Sequence, residues 1–230
     1  MLAGGEVELI ERMPWASNAT FLARVIGGTA PAGGVLVVYK PRRGERPLWD
    51  FPTGTLANRE VAAHAVSRAS GWEIVPPTVL RDGPFGPGMV QAFVDHDPDD
   101  HFLELRDEHP ERFRAFAAFD VVINNADRKA GHCILGEAGH VWGVDHGVSF
   151  HVHPKLRTAI WDYAGEPLGD AVVDGLRRIE AGFTSDLGGR LHDLLHPEEV
   201  AATRDRLCAL LDAGVLPFPR GDYPYPWPLI

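Results

Sequence analysis

Alternating apolar and polar residues mark the beginning of the chain. EVELIERM (residues 6–13) alternates in this way, TFLARVIG (residues 20–27) does so less cleanly, and a third apolar segment, VLVVYKP, spans residues 35–41. A period of two is typical of half-buried β-strands. Because the glycine-rich turn GGTAPAGG (residues 27–34) joins the second segment to the third, we expect these two to form an antiparallel hairpin.

A helical pattern follows these strands. In LANREVAAHAVSRASGW (residues 56–72) apolar residues recur at i, i+4 spacing, and the pattern predicts Asn58 as N-cap and Gly71 as the stop. Residues 75–83 and 88–95 then have the composition of two further strands. The first part of the chain is therefore predicted to be a β-sheet accompanied by one helix.

The second part of the chain has helical periodicity. An amphipathic to hydrophobic segment covers residues 111–125, and three more helices are predicted over residues 169–183, 185–195 and 197–214. The proline-rich tail, residues 217–230, cannot continue as a helix. We expect it to pack along the surface through three aromatic side chains, those of Tyr223, Tyr225 and Trp227.

The change from strands to helices suggests how the chain is divided. Residues 93–100 shift from apolar to acidic, which predicts a boundary between two lobes. Strands followed by helices favour an α+β fold. We therefore expect one two-lobed domain, with a β-rich N-lobe over residues 1–95 and a helical C-lobe over residues 96–230.

Composition excludes several classes of function. Apolar residues make up 45% of the 230 residues, enough for a core, and the net charge of −10 argues against broad binding to nucleic acid. No apolar run is long enough to span a membrane, and no signal peptide is recognisable. Two distant cysteines, Cys133 and Cys208, do not form a disulfide framework, so we expect a cytoplasmic protein.

Charged residues in this chain occur where phosphoryl transfer from ATP would need them. That chemistry requires a cation on the phosphates, an anion that holds the cation, metal ligands and an aspartate near the acceptor. Lys40 ends an apolar strand, and Glu60 lies near the start of the next helix. Asp127 lies in a polar loop after the hydrophobic helix, five residues before His132, and Asp145 ends a later apolar run.

Four motifs carry a family resemblance: VVYKP, REVAAHAVSR, NNADRKAGHCIL and GVDHGVSF. With these motifs the chain resembles the phosphatidylinositol 3/4-kinase and HipA branch of the protein-kinase-like superfamily, and within it a small actinobacterial family. The loop is most similar to that of type II phosphatidylinositol 4-kinases. The corresponding positions here are Asn125, Asp127, Arg128, His132, Asp145, His146 and Gly147. The resemblance spans about residues 15–150, and the helical remainder matches only in general character.

This resemblance implies roles for individual residues, and it implies ATP and a divalent metal ion as cofactors. Lys40 would bind the phosphates of ATP and pair with Glu60, and Asp127 would orient or deprotonate the acceptor hydroxyl. Asp145 would bind Mg²⁺ or Mn²⁺. The acceptor, which is a protein, a lipid or a small molecule, is not identified by the motifs. The hinge around the adenine would run from Gln91 to Val94, with Gln91, Phe93 and Val94 as the binding residues.

Two departures from the family pattern leave other functions open. The segment from Trp15 to Phe21 replaces the phosphate-covering loop but has no glycine, so three side chains would donate instead, those of Ser17, Asn18 and Thr20. His132 stands where the family has asparagine, and imidazole prefers softer metals than Mg²⁺. Both departures are compatible with a nucleotide-binding pseudokinase or adaptor.

A histidine-metal hydrolase is a third interpretation of the same region. Five histidines lie close together in sequence: His132, His140, His146, His151 and His153. If residues 151–153 form a strand, the first and last of them point to the same face, a spacing that is compatible with zinc. The order of Lys40 and Glu60 along the chain favours the kinase interpretation over this one.

Overall fold

The N-terminal part is an antiparallel sheet in our computed structural model, which describes residues 1–14 and 18–230. Its five strands are arranged in the order β1-β2-β3-β5-β4. They are β1 (Glu6–Arg12), β2 (Phe21–Ile26), β3 (Val35–Pro41), β4 (Thr78–Gly83) and β5 (Gly86–Ala92). The predicted strands and the hairpin between β2 and β3 are confirmed.

Alternation along β3 decides which side chains reach the cleft. Val37 and Tyr39 are fully buried in the small apolar core on one face of the sheet. Since successive side chains of a strand point to opposite faces, Val38 and Lys40 point to the other face. Both of them line a cavity between the sheet and the helical part.

Helix α1 (Leu56–Ser70) ends as predicted at Gly71, whose φ of 72° is in the left-handed region that glycine tolerates. The predicted N-cap at Asn58 is wrong, because the helix begins at Leu56. The carboxylate of Glu45 in the preceding loop accepts hydrogen bonds from the N–H groups of Leu56 and Ala57, at 3.2 and 3.0 Å. A distant acid thus replaces the local capping residue.

The described residues outside this sheet contain further helices and one short hairpin, joined by irregular segments. The helices are α2 (Phe102–Leu105), α3 (Pro110–Ile123), α4 (Asp170–Gly182), α5 (Asp186–Leu194) and α6 (Pro197–Ala213), and the hairpin is β6 (Cys133–Leu135) with β7 (Val141–Gly143). The main core joins the apolar face of α3 to α1, so α1 packs against both parts of the molecule. Among the described residues, no helix has the length and apolar character needed to cross a membrane.

The tail is not held by its aromatic side chains, and this prediction is wrong. Tyr223, Tyr225 and Trp227 are 79%, 51% and 92% exposed. Backbone hydrogen bonds hold the tail instead: the carbonyl of Pro224 accepts from the N–H of Thr158, and the carbonyl of Leu229 accepts from the N–H of Ala130. Because proline carbonyls remain good acceptors, a proline-rich segment can dock in this way without forming a helix.

One close packing contact in the helical part provides a test of the fold. A Cβ added at Gly175 in α4 would lie 2.2 Å from Nε1 of the Trp72 indole, whereas one added at Gly189 in α5 would meet nothing within 4 Å. We expect Gly175→Ala to lower the free energy of unfolding by about 1–3 kcal/mol, the usual cost of overpacking. Gly189→Ala should leave it unchanged or raise it by up to about 1 kcal/mol, since alanine favours helix. Urea unfolding of both variants measures the difference, and equal effects would contradict the assigned packing of α4 on Trp72.

Candidate functional site

A lysine held between two carboxylates forms the centre of the cleft. Lys40 Nζ lies 2.7 Å from Glu60 Oε1 and 2.9 Å from Asp145 Oδ1. The three residues come from the end of β3, the first turns of α1 and the segment after β7. Burial by itself would lower the pKa of Lys40, but the negative charges of Asp145 and Glu60 outweigh it and raise the pKa above its usual range. The lysine therefore stays charged inside the cleft.

Glu60 connects this lysine to the loop that carries Asp145. Its side chain is only 2% exposed, and a buried carboxylate needs partners for both oxygens. One oxygen accepts from Lys40, and the other accepts from the backbone N–H of His146 at 2.9 Å. The charge of Lys40 holds the pKa of Asp145 well below its usual range, so Asp145 is ionised.

A second buried network fixes the two loops relative to each other. Arg128 is fully buried and donates to both carboxylate oxygens of Asp120 at 3.0–3.2 Å. It also donates to Nε2 of His146 at 2.6 Å and to the carbonyl of Val144 at 3.1 Å. Burial, and then the charge of Arg128, hold the pKa of His146 far below its usual value, so this imidazole is neutral. His146 thus joins the Lys40 cluster to the network around Asp120.

Asp127 lies in the loop between these networks. Its backbone N–H donates to Oδ1 of Asn125 at 3.0 Å, which orients the loop. Burial raises the pKa of Asp127 to about 6, against the lowering effect of the positive charges on Lys129, Arg128 and Arg157. Sequence reasoning missed Lys129 and Arg157, because a cation in a loop has the same pattern as any solvated surface residue.

His132 faces Asp145 across the cleft. Its Nδ1 lies 3.0 Å from the carbonyl of Asp127, and its Nε2 lies 3.6 Å from Oδ2 of Asp145. If Nδ1 carries the proton and donates to that carbonyl, the lone pair of Nε2 is directed into the cleft. Burial lowers the pKa of His132 to about 4, so the ring is neutral at physiological pH, as a metal ligand must be.

The cavity beside these groups has a volume of about 190 Å³, with largely apolar walls. It is lined by Met13, Asn18, Thr20, Val38, Lys40, Gln91, Ala92, Phe93, Val94, His96, His132, Ile134, Val144 and Asp145. The structure therefore brings most of the predicted site residues to one place. Glu60 and Asp127 do not line the cavity, although Glu60 accepts a hydrogen bond from Lys40, which does line it. Ser17 lies outside the described residues.

The side chains of Gln91 and Asn18, both predicted to bind nucleotide, already have partners within the protein. Gln91 donates from Nε2 to Oγ1 of Thr78 at 2.8 Å, so its amide connects two strands within the sheet. Oδ1 of Asn18 accepts from the backbone N–H of Arg46 at 2.8 Å. Within residues 1–14 and 18–230 the amide nitrogen of Asn18 has no hydrogen-bond partner and is available to a ligand, while Gln91 contributes apolar surface and its remaining amide atoms to the cavity wall.

Arg59, which precedes Glu60, is a residue whose role the sequence did not indicate. It is 1% exposed, donates to Glu199 of α6 and to the carbonyl of Ser149 at 2.5 Å each, and stacks on the ring of Phe51. Arg59 therefore ties α1 to the helical part while Glu60 ties it to the sheet. Helical periodicity cannot reveal a partner that lies 140 residues away.

Among the described residues the remaining histidines form no metal cluster, although the rings of His151 and His153 lie 5.5 Å apart. Residues 151–153 are not a strand, so the condition for the zinc-compatible spacing is not met: the amide of Asn124 donates to the carbonyls of both His151 and His153 and holds a bend. His140 stacks on Trp142 instead. Among the residues that the structure describes, no three histidine, cysteine, aspartate or glutamate side chains are placed to hold a metal ion. The hydrolase interpretation therefore gains no support from the geometry.

Comparison with known proteins gives one relative in sequence and several in fold. No protein-family model matches the chain. Protein Rv2133c of Mycobacterium tuberculosis (strain ATCC 25618 / H37Rv) is 41% identical over 267 aligned positions, which cover 99% of this chain and 94% of the relative.

Solved structures of kinases have a similar fold. The proinflammatory kinase CtkA of Helicobacter pylori has a TM-score of 0.56 at 11% identity, covering 94% of each chain. A Golgi casein kinase with Mn/ADP bound has a TM-score of 0.55 at 13% identity, covering 92% of this chain and 73% of the kinase. Hydra Fam20 with sugar has a TM-score of 0.51 at 16% identity, covering 93% of this chain and 85% of the Fam20 chain. The predicted α+β, protein-kinase-like fold is confirmed, and at these identities the likeness shows the fold alone.

The buried pair of Arg59 and Glu199 gives a test of how α1 is held. Glu199→Leu should lower the free energy of unfolding by about 3–5 kcal/mol, because it leaves a buried guanidinium without its carboxylate. The double variant Arg59→Leu/Glu199→Leu should be more stable than Glu199→Leu alone, since both charges are gone. Denaturant unfolding measures the free energy of unfolding of each variant.

An exposed pair serves as the control for this test. Arg177 and Glu180 of α4 are 2.8 Å apart with 62% and 40% of their side chains exposed. Glu180→Leu should change the free energy of unfolding by less than about 1 kcal/mol. A double variant of Arg59 and Glu199 that is no more stable than Glu199→Leu would contradict the coupling.

Proposed function

The chain belongs to the family of Protein Rv2133c, and on that premise we propose that it is an ATP-dependent phosphotransferase. One observation carries the proposal: Lys40, Glu60 and Asp145 meet at the edge of a largely apolar cavity. An ammonium group with its own carboxylate partner is the arrangement that phosphoryl transfer needs on the nucleotide phosphates. The kinase folds that the chain resembles support the same reaction class.

Nucleotide binding uses the cavity and the lysine together. Val38, Ile134 and Val144 offer apolar surface to a purine, and Lys40 lies at the polar end. A lysine ammonium has three N–H donors, of which Glu60 and Asp145 take two, so one is left for a phosphate oxygen. Segment 91–94, which includes Phe93, supplies the hinge. The Golgi casein kinase of similar fold holds Mn/ADP, which supports a nucleotide with a divalent metal.

His132 and Asp145 would hold that metal. Their facing atoms are 3.6 Å apart, a separation that two ligands reach when each lies about 2.1 Å from one cation. Two protein ligands are enough when substrate phosphates complete the shell. A bound cation would neutralise the phosphate charge. The imidazole favours Mn²⁺ over Mg²⁺, which prefers oxygen ligands.

Asp127 would act on the acceptor. Its carboxylate would take the proton of an acceptor hydroxyl while the hydroxyl oxygen bonds to the terminal phosphorus and ADP leaves. With a pKa raised to about 6, Asp127 is mostly ionised at neutral pH and is a better base than an ordinary aspartate. Activity should accordingly fall as the pH drops through this value. Lys129, two residues along the chain, would offset the charge of the transferred group.

We further propose that the protein is a member of the phosphatidylinositol 3/4-kinase and HipA branch, and the loop motifs support this proposal. Asn125, Asp127 and Asp145 stand in the order that the branch uses. Both cysteines, Cys133 and Cys208, are free thiols, which fits the reducing cytoplasm. We also propose that the sheet part to residue 95 and the helical part beyond it are the two lobes.

Nucleotide binding without transfer is the second candidate function. The observation that favours it is the contact between Asp145 and Lys40, which occupies one oxygen of the metal-binding carboxylate. If this contact persists when nucleotide is bound, the metal has fewer ligands and transfer is slow. ATP turnover separates the two functions.

The first test of this proposal is nucleotide binding. ATP with Mn²⁺ or Mg²⁺, at a hundred times its Kd, should stabilise the protein by about 2.7 kcal/mol. Lys40→Met should lose this stabilisation and should itself unfold more easily, because Glu60 is left buried without its partner. Calorimetric titration of the folded variants measures the affinity directly.

Lys155→Met is the matched control, because Lys155 pairs with Asp50 and does not line the cavity. It should bind ATP as the parent does. Asp127→Asn should keep nucleotide binding and lose turnover. Absence of binding to any purine nucleotide with either metal would refute the proposal, and binding without turnover would favour the second function.

The second test is metal preference. His132→Asn should shift the ratio of nucleotide affinities with Mn²⁺ and Mg²⁺ toward Mg²⁺ by about tenfold, the order of effect of a changed interaction at a metal site. Asp145→Asn should remove the dependence on metal. His96→Asn is the control, since His96 lines the same cavity but bonds the carbonyl of Val94 and not Asp145. An unchanged ratio in His132→Asn would mean that His132 is not a ligand.

A further inference from the structure

The loop that carries Asp127 pairs with a later segment of the chain. The N–H of Arg157 donates to the carbonyl of Asn125 at 2.9 Å, and the N–H of Arg128 donates to the carbonyl of Arg157 at 3.0 Å. The N–H of Ala159 then donates to the carbonyl of Arg128 at 2.8 Å. These bonds place Arg128 opposite Thr158 in a parallel bridge. Arg157 therefore lies opposite Asp127, one residue earlier on each segment.

Alternation along the paired segments sets the direction of their side chains. Arg128 and Thr158 are buried and both donate to the carboxylate of Asp120. Since neighbouring side chains in paired, extended segments point to opposite faces, Asp127 and Arg157 point together to the outer face. Arg157 is exposed, and its charge acts on Asp127.

Arg157 does not neutralise a carboxylate in the part of the chain that the structure describes. Among the residues that the structure describes, no aspartate or glutamate lies within ion-pair distance of Arg157 or of Lys129, which is two residues from Asp127. The chain as a whole carries a net charge of −10. Two unpaired cations beside the proposed base thus form a local positive site on an acidic molecule.

The tail limits this site on one side. The carbonyl of Pro224 bonds the N–H of Thr158, and the carbonyl of Leu229 bonds the N–H of Ala130. The tail therefore runs beside both of the paired segments and leaves Arg157 accessible on their outer face. A ligand hydroxyl placed at Asp127 therefore lies on the same face of the paired segments as this guanidinium.

We propose that the acceptor carries a carboxylate or phosphate group near its hydroxyl, and that Arg157 binds that group. This inference rests on the proposed function, because it concerns the acceptor side of the same site. A guanidinium binds carboxylate and phosphate in a bidentate manner, which fixes the orientation of the ligand as well as its position. Arg157 is then a residue that determines acceptor specificity.

Binding of matched probes tests the inference without a known acceptor. Glycerol 3-phosphate is compared with glycerol, and a serine peptide flanked by glutamates is compared with the same peptide flanked by glutamines. Calorimetric titration is done on the metal-free protein with and without ADP, for the parent, for Arg157→Gln and for Arg204→Gln. Arg204 is an exposed arginine of α6 that serves as the matched control.

The parent and Arg204→Gln should bind at least one anionic probe at least tenfold more tightly than its neutral counterpart. Arg157→Gln should lose that preference and keep the affinity of the parent for ADP. Binding of the phosphate compound alone indicates a small anionic acceptor, and binding of the peptide alone indicates an acidic protein segment; either result supports the inference.

Three results would overturn the inference. The first is that the parent shows no preference for anionic probes, and the second is that Arg157→Gln keeps the preference of the parent. The third is weaker ADP binding in Arg157→Gln than in the parent, which would assign Arg157 to the nucleotide. In each of these cases the proposed phosphotransferase activity is still supported if the parent binds ATP and turns it over. Failure of the parent to bind any nucleotide refutes the proposed function itself, and the probe titrations still report on Arg157.

Discussion

The ion cluster of Lys40, Glu60 and Asp145 is the constraint on which the rest of the architecture depends. Its carboxylates come from positions 20 and 105 residues after the lysine. Because the buried carboxylate of Glu60 is costly without its partners, the sheet, helix α1 and the segment after the β6–β7 hairpin have to meet at one point. The relative position of the two parts of the molecule is therefore set by charge as much as by apolar packing.

Further buried pairs extend this arrangement into the helical part. Arg128 with Asp120, and Arg59 with Glu199, are almost fully enclosed, and His146 lies between the first of these pairs and Glu60. Buried ion pairs contribute little net stability, but they exclude alternative arrangements because each misplaced partner leaves a charge unsatisfied. The proposed site is thus held by groups that never contact a ligand.

Much of this could be predicted from the sequence, because strands and helices depend on local periodicity. The kinase-like cleft was indicated by the resemblance of four motifs to a known family, and three of these motifs contain Lys40, Glu60 and Asp145. The partner of Arg59 and the cap that Glu45 gives to α1 were not predictable, because both depend on chain segments that only the fold brings together. The exposure of Trp227 was missed because aromatic composition suggests burial, whereas the tail is held by its backbone.

The adjacency of Arg59 and Glu60 has a consequence for how the chain can vary in length. Neighbouring residues of a helix point about 100° apart, and here one reaches α6 while the other reaches β3. Inserting or deleting one residue in the first turn of α1 would rotate both side chains away from their partners at the same time. Insertions can be absorbed in the loop before Thr55, but between Thr55 and Glu60 the residue count is fixed by geometry.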